Sequence, residues 1–391
     1  MDKKRIVIFT TSFLPIMGGL QYELKWLLDS MDELVGNSYR NLELYFFAPN
    51  KESLRYTSFK NIKVINLDLQ TSSKFYLLPN ALKLRKTLKK IKPDLIHCQG
   101  AIPDALMVYL NNLVYFKRYK YIVTSHGIDI VVLPEIDYGM RLNPLYNFLT
   151  RLVLKNVEKH VLPSTALIDF ASNAGTHSSK IEVIPNGVKP RNTKLSNKKL
   201  INQLRKEWDI DERKTLSLLC LSSTRPVKNL SRLIEGFAQA QQQIGNLKLF
   251  LTCEDKTNKI LRSKVSELKL QDDVHFIGPI EGDLKDAYFK VCDVFCLPSL
   301  FENFPVSVLE AMDYGEIVLV GEVGGLKDFI VNKYNGIFVR SEDANDIADK
   351  IVEIYRSKDL QEKVRENAKK SVKEYYIYNI AKQYLHLYTS V

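Results

Sequence analysis

Short apolar runs rich in β-branched and aromatic residues punctuate the chain at 6–9, 42–47, 62–67, 95–98, 121–124, 160–162 and 181–184. Each is too short for a helix and long enough for a buried strand. Between most of them apolar residues return every three or four positions, as Leu20, Leu24, Leu27, Leu28 and Met31 do. That spacing predicts amphipathic helices. Strands alternating with helices predict a parallel sheet covered on both faces.

The alternation pauses at 189–213, a polar stretch with Pro190 and several Asn and Lys residues. It reads as a domain junction. Runs then resume at 216–221, 247–251, 274–277, 294–297, 317–320 and 336–339. From Asn345 onward the pattern is helical, with Ile347, Ile351, Ile354 and Tyr355 on one stripe. The expected fold class is α/β, with two Rossmann-like domains facing across a cleft. Ligands of such sheets bind at the carboxyl ends of the strands, so the cleft is the expected site.

The composition, 45% hydrophobic and 26% charged over 391 residues, is that of an ordinary globular protein and excludes collagen, a disordered tail and a disulfide-stapled mini-protein. The chain runs from its basic start straight into an apolar strand, so no signal peptide is expected. No apolar run reaches the ~18 residues of a membrane span. The five cysteines lack C-x-x-C spacing and lie mostly in strand-like runs, as buried thiols of a reducing cytosol do. Cys292 and Cys296 have a metal-like spacing but no neighbouring histidine, and no metal site is expected. The net charge of +11 divides unevenly. Residues 1–190 hold 25 Lys/Arg against 16 Asp/Glu, and residues 191–391 hold 31 against 29. The surplus belongs to the first half and points to an anionic partner there.

Five features could carry chemistry. The strongest is 301–312, with Glu302, Asn303, Phe304, Pro305, Val306 and Glu310. Pro305 suits the first turn of a helix that Gly315 would end. A helix starting there would aim the amides of Asn303, Phe304 and Val306 at an anion, flanked by two carboxylates suited to sugar hydroxyls. The second is Arg225 and Lys228 after the strand at 216–221, which could clamp a diphosphate. Gly18 and Gly19 follow the first strand, His126 ends another, and Gly324 and Gly325 follow the strand at 317–320. Each also has a plain structural reading as a cap, a solvated loop or a buried histidine. Neither G-x-G-x-x-G after the first strand nor G-x-x-x-x-G-K-[ST] occurs, which removes the best support for a nicotinamide dehydrogenase or a P-loop NTPase.

In this order, at strand ends across two domains, these features make the chain resemble the retaining glycosyltransferases of family 4, which have the GT-B fold. The glutamate pair Glu302 and Glu310, the glycine-rich first loop, His126, the segment Ile184-Pro185-Asn186-Gly187-Val188 and Lys228 carry the resemblance. It implies an acceptor-binding domain at 1–189, a donor-binding domain at 190–370, and a terminal helix within 371–391 that crosses back to the first domain. Arg225, Lys228 and the amides after Glu302 would hold the donor diphosphate. Glu310 would bind ribose hydroxyls, Glu302 and His126 would sit at the donor sugar, and Gly18 and Gly19 would border phosphate and acceptor. The usual Gly-Arg pair ahead of the lysine is Ser222-Ser223 here, the usual Gly after the first glutamate is Asn303, and the usual Pro of a later strand is Ile317.

The implied reaction moves a sugar from a nucleotide-diphosphate sugar, with UDP the family's usual carrier, without a metal or other cofactor. The one D-x-D, Asp209-Ile210-Asp211, lies in a charged, solvated stretch. The expected acceptor is a glycan or lipid-linked hydroxyl. Lys83, Arg85, Lys86, Lys89, Lys90 and Lys92 share one stretch with Leu78, Ala81, Leu84, Leu88 and Ile91 at helical spacing. Such a basic amphipathic helix suits an anionic membrane surface or acceptor, at the inner face of the plasma membrane. A small soluble acceptor is an alternative, and a sugar-nucleotide epimerase of the same fold a more distant one. Nucleic acid is not an expected partner, because the basic stretch lacks interleaved aromatics over an extended surface.

Overall fold

A computed structural model describes residues 3–16, 18–69, 77–115, 119–191, 197–253 and 259–391. The chain divides into two compact units, Met1–Lys189 with Tyr375–Val391, and Pro190–Glu374.

The first unit runs β1 (Lys4–Phe9), α1 (Gly19–Asn37), β2 (Leu42–Ala48), β3 (Lys63–Asn66), α2 (Leu77–Ile91), β4 (Leu95–Cys98), α3 (Leu106–Tyr115), β5 (Tyr121–Thr124), α4 (Pro144–Lys155), β6 (Lys159–Leu162), α5 (Ile168–Asn173) and β7 (Ile181–Val183). The seven strands form a sheet in the order β3-β2-β1-β4-β5-β6-β7, and every pairing is parallel. The strands are short and apolar on both sides because helices cover both faces.

The second unit runs α6 (Lys198–Glu207), β8 (Leu216–Cys220), α7 (Leu230–Ile244), β9 (Leu247–Leu251), α8 (Lys259–Glu267), β10 (Val274–Phe276), α9 (Gly282–Val291), β11 (Val294–Leu297), α10 (Val306–Tyr314), β12 (Ile317–Gly321), β13 (Ile337–Val339), α11 (Ala344–Arg356) and α12 (Lys358–Ser371). Its sheet is also parallel, in the order β10-β9-β8-β11-β12-β13. The last helix, α13 (Ile377–Ser390), belongs to the first unit. It buries Ile377, Ile380, Ala381, Tyr384, Leu385, Leu387 and Tyr388 in the same core as Leu24, Leu27, Leu28 and Met31 of α1. Val188 N bonds Tyr375 O and Ile377 N bonds Val188 O, which pins the returning chain. Gly187 admits this approach: a Cβ there would lie 2.9 Å from Ile377 Cα.

In both sheets the strand order reverses once, between β1 and β4 and between β8 and β11. Loops at such a switch point diverge and leave a crevice at the carboxyl edge.

Several expectations need correcting. The stretch 189–213 is not all junction. Within it α6 buries Ile201 and Leu204, and Trp208 packs edge-on to Phe250 and bonds Tyr288 Oη at 3.2 Å. Residues 192–196 of that stretch lie outside the described residues. Leu20 and Leu78 fall on their helical stripes but are exposed, because each stands in the first turn of its helix, beyond the sheet face that the later turns cover. Pro305 occupies the N-cap position with extended backbone rather than the first helical position.

Candidate active site

The second unit's site is built at its switch point. After β8 the chain makes a tight turn over Pro226–Lys228, capped by Arg225. Asn229 follows in the left-handed region and spans outward, its amide bonding Ser341 O at 2.5 Å and Pro298 O at 3.4 Å. After β11, Leu300 N bonds Val227 O at 2.8 Å. Ser341 Oγ bonds Ser299 O at 2.8 Å. These bonds join the loops after β8, β11 and β13, and they bring together side chains 74 positions apart in sequence.

The result is a small charged cluster. Lys228 Nζ bonds Glu302 Oε1 at 2.7 Å, and Ser299 Oγ donates to the same oxygen at 2.6 Å. The Glu302 side chain is 8% exposed and that of Lys228 23%. A carboxylate this withdrawn from water is stable only when paired and hydrogen-bonded. Its backbone is held as firmly: Gly325 N donates to Glu302 O at 2.9 Å. Gly324, at φ +50°, lets that contact form, since a Cβ there would lie 2.0 Å from Glu302 O. Phe304 is buried, its ring 4.5 Å from that of Phe329, while Asn303 is half-buried. With Pro305 at the N-cap, the amides that the helix start leaves without an intrahelical acceptor are those of Val306 and Ser307. Arg225 is exposed at the rim of this cluster's first loop.

Glu310, in the second turn of α10, is partnered by a residue that the sequence reading missed. Lys285 of α9 places Nζ 2.5 Å from Glu310 Oε1. Ser299, too, gave no signal beyond its place in a turn after a strand.

In the first unit the candidate residues also stand at the carboxyl edge. Gly18 caps α1 and Gly19 opens it, with nothing within 4 Å of a Cβ built at Gly19. His126 lies in the turn after β5. Burial pulls its imidazole below the usual range, against the opposing pull of the Asp129 carboxylate. Two buried aspartates staple three loops together. Asp104 accepts from Thr11 N at 3.0 Å and Thr11 Oγ1 at 2.6 Å, tying the loop after β1 to that after β4. Asp129 accepts from Ser125 Oγ at 2.7 Å, Gly127 N at 3.1 Å and Ala101 N at 3.3 Å, tying the β4 loop to the turn that carries His126. His160 Nε2 meets Ser125 Oγ at 2.8 Å beneath it. Burial holds the Asp104 carboxyl at about 7 and the His160 imidazole at about 3.

The basic stretch forms α2 as expected, with Asn80, Ala81, Leu84, Leu88 and Ile91 buried. Its cations do not form one uniform face. Lys86, Lys89, Lys90 and Lys92 are exposed, whereas Arg85 is half-buried and Lys83 reaches Asp68 at 3.6 Å. Among the described residues no group of His, Cys, Asp and Glu side chains could hold a metal ion, and no helix is long and apolar enough to cross a membrane.

Comparison with known proteins agrees with this arrangement. Residues 201–371 match the family model "Glycosyl transferases group 1", and residues 38–192 match "Glycosyltransferase Family 4". N-acetyl-alpha-D-glucosaminyl L-malate synthase of Bacillus anthracis is 26% identical over 81% of this chain and 80% of its own length. N,N'-diacetylbacillosaminyl-diphospho-undecaprenol alpha-1,3-N-acetylgalactosaminyltransferase of Campylobacter jejuni is 24% identical over 90% of this chain and 92% of its own. Anabaena HepE, crystallised with UDP and glucose, superposes with a TM-score of 0.77 at 20% identity, covering 99% of this chain and all of its own. Both halves of the sequence are matched and the fold is shared from end to end, so the chain belongs to the family 4 glycosyltransferases of the GT-B fold.

Proposed function

We propose that the protein is a retaining glycosyltransferase that moves a sugar from a UDP-sugar to a hydroxyl of a glycan or lipid-linked acceptor. The observation that carries the donor half is the Lys228–Glu302–Ser299 cluster, set beside a helix start at the switch point. Breaking the sugar–diphosphate bond leaves negative charge on the leaving phosphate. Preorganised cations and amides aimed at that charge are the largest available catalytic effect. In this reading Arg225, Lys228 and the first amides of α10 supply that stabilisation, in place of a metal. The acceptor oxygen attacks from the face the diphosphate leaves, and its proton passes to a leaving-phosphate oxygen. Glu302 and His126 position the sugar, Asn303 and Phe304 line the approach to the helix start, Gly18 and Gly19 border the donor, and Glu310 takes the ribose. HepE, crystallised both with UDP and glucose and with UDP-glucose, supports the choice of carrier.

For the acceptor, the names of two relatives support a lipid-linked or lipid substrate, the undecaprenol-linked one above and alpha-monoglucosyldiacylglycerol synthase of Streptococcus pneumoniae. The exposed Lys86, Lys89 and Lys90 of α2 and Lys92 just past its end, with exposed Leu78 and Leu82 on the same helix, suit peripheral docking on the inner face of an anionic membrane. A second reading, a small soluble acceptor, is favoured by the malate-linked product named for the Bacillus relative.

Two measurements test this. A panel of nucleotide sugars is screened for thermal stabilisation; a UDP-sugar that raises the melting temperature supports the donor, and no response to any member rejects it. Sedimentation with phosphatidylglycerol vesicles tests the acceptor side. Binding that falls on charge reversal of Lys86, Lys89, Lys90 and Lys92 supports docking, and binding that is absent or unaffected favours the soluble acceptor.

A further inference from the structure

The two glutamates that frame α10 are each met by a lysine from a neighbouring element, Glu302 by Lys228 and Glu310 by Lys285. Lys285 lies in the second half-turn of α9, the helix that leaves the carboxyl edge of the sheet after β10. Its neighbours on that helix are Asp283 and Asp286, but Asp286 is taken by the Tyr314 hydroxyl. Lys285 instead crosses to Glu310, whose side chain is 13% exposed. A carboxylate with so little water around it is held in one rotamer by a fixed hydrogen-bonding partner. A single ammonium on Oε1 leaves the other oxygen, with its lone pairs, to accept from hydroxyls.

We infer that Lys285 is a positioning residue of the donor site: it holds the Glu310 carboxylate oriented so that the neighbouring hydroxyls of a ribose can bond it. The inference rests on the donor-site reading above. Lys285 then acts on nucleotide affinity only through the ribose hydroxyls.

The test is calorimetric titration of the full chain with UDP and with 2′,3′-dideoxyuridine diphosphate, which lacks those hydroxyls. Lys285→Ala and Lys285→Met are each expected to weaken UDP roughly tenfold, the scale of one charge-assisted hydrogen bond. Both are expected to leave affinity for the dideoxy analogue within about twofold of the parent protein, and Lys285→Arg to recover most of the UDP affinity. Thermal melting of each variant checks that it is folded. UDP affinity within twofold of the parent in both variants overturns the inference. Equal losses for UDP and the dideoxy analogue overturn it too, since they assign Lys285 to the phosphates or to structure alone. A parent protein that binds none of UDP, GDP and ADP rejects the donor-site reading itself, and the inference with it.

Discussion

Glu302 is a structural burden that the proposed donor site turns to use. Its carboxylate is nearly buried, and Lys228 and Ser299 satisfy it on the same oxygen. Lys228→Ala leaves that charge unpaired, so it is expected to lower stability by roughly 1–3 kcal/mol. It is also expected to cut transfer at least ~100-fold, as loss of a donor aimed at developing charge does. Glu302→Gln keeps the shape and the Ser299 bond, so the same loss of transfer is expected with a melting temperature close to that of the parent. Near-parental turnover in either variant rejects the assignment. Glu23 of α1 is a different case. It is 4% exposed, burial raises its carboxyl from 4.5 to about 7, and the Gly187 amide opposes this only weakly. The folded protein therefore keeps a proton that the unfolded chain has lost between those values. Its contribution is complete below about 4.5 and is lost as pH rises through 7, by up to roughly 3 kcal/mol. An amide does not titrate, so Glu23→Gln is expected to gain on the parent protein in melting temperature from pH 5 to pH 8. A difference constant over that range contradicts the argument.

At the scale of elements, α10 and the turn at 324–328 work as one piece, because the backbone of Glu302 is clamped by Gly325 and overhung by Gly324. Gly324 and Gly282 have nearly the same φ, +50° and +52°. Only at Gly324 would a Cβ strike backbone; nothing lies within 4 Å at Gly282. Gly282→Ala is expected to cost about 1 kcal/mol, the left-handed strain alone. Gly324→Ala should cost at least about twice that and abolish transfer, because Glu302 must shift. Denaturant midpoints of the two variants make the comparison, and equal losses refute it. The existence and order of these elements were legible from the apolar runs and the 3–4 spacing. Their ends were less so: Pro305 moved from the first helical position to the cap, and α6 emerged from a stretch too polar to signal a helix. Its burial depends on Ile201 and Leu204 meeting a partner far along the chain. Lys285 and Asp104 carried no motif, since their roles exist only once a second element stands opposite.

For the molecule as a whole, the last helix completes the unit that contains the first. Seven buried side chains of α13, at roughly 2 kcal/mol for each large one, rival the whole stability of a domain. Deleting residues 377–391 is therefore expected to unfold the first unit and leave the second intact. Limited proteolysis should then yield a resistant core starting near residue 190; uniform resistance over the whole chain refutes this. The +11 charge also resolves at this scale. It is concentrated in the first unit, where part of it lies on α2 as the exposed Lys86, Lys89 and Lys90, while the nearly neutral second unit spends Lys228 and Lys285 on the buried Glu302 and the half-buried Glu310. By itself the sequence determined the α/β class, the two-fold repeat of the pattern, and the motifs that carry the family resemblance, because periodicity and local motifs are properties of neighbouring positions. Only the tertiary structure decided which of those residues meet. The reversal of strand order puts the loops after β8 and β11 side by side, and so joins Lys228 to Glu302 across 74 positions, a contact that no local spacing encodes.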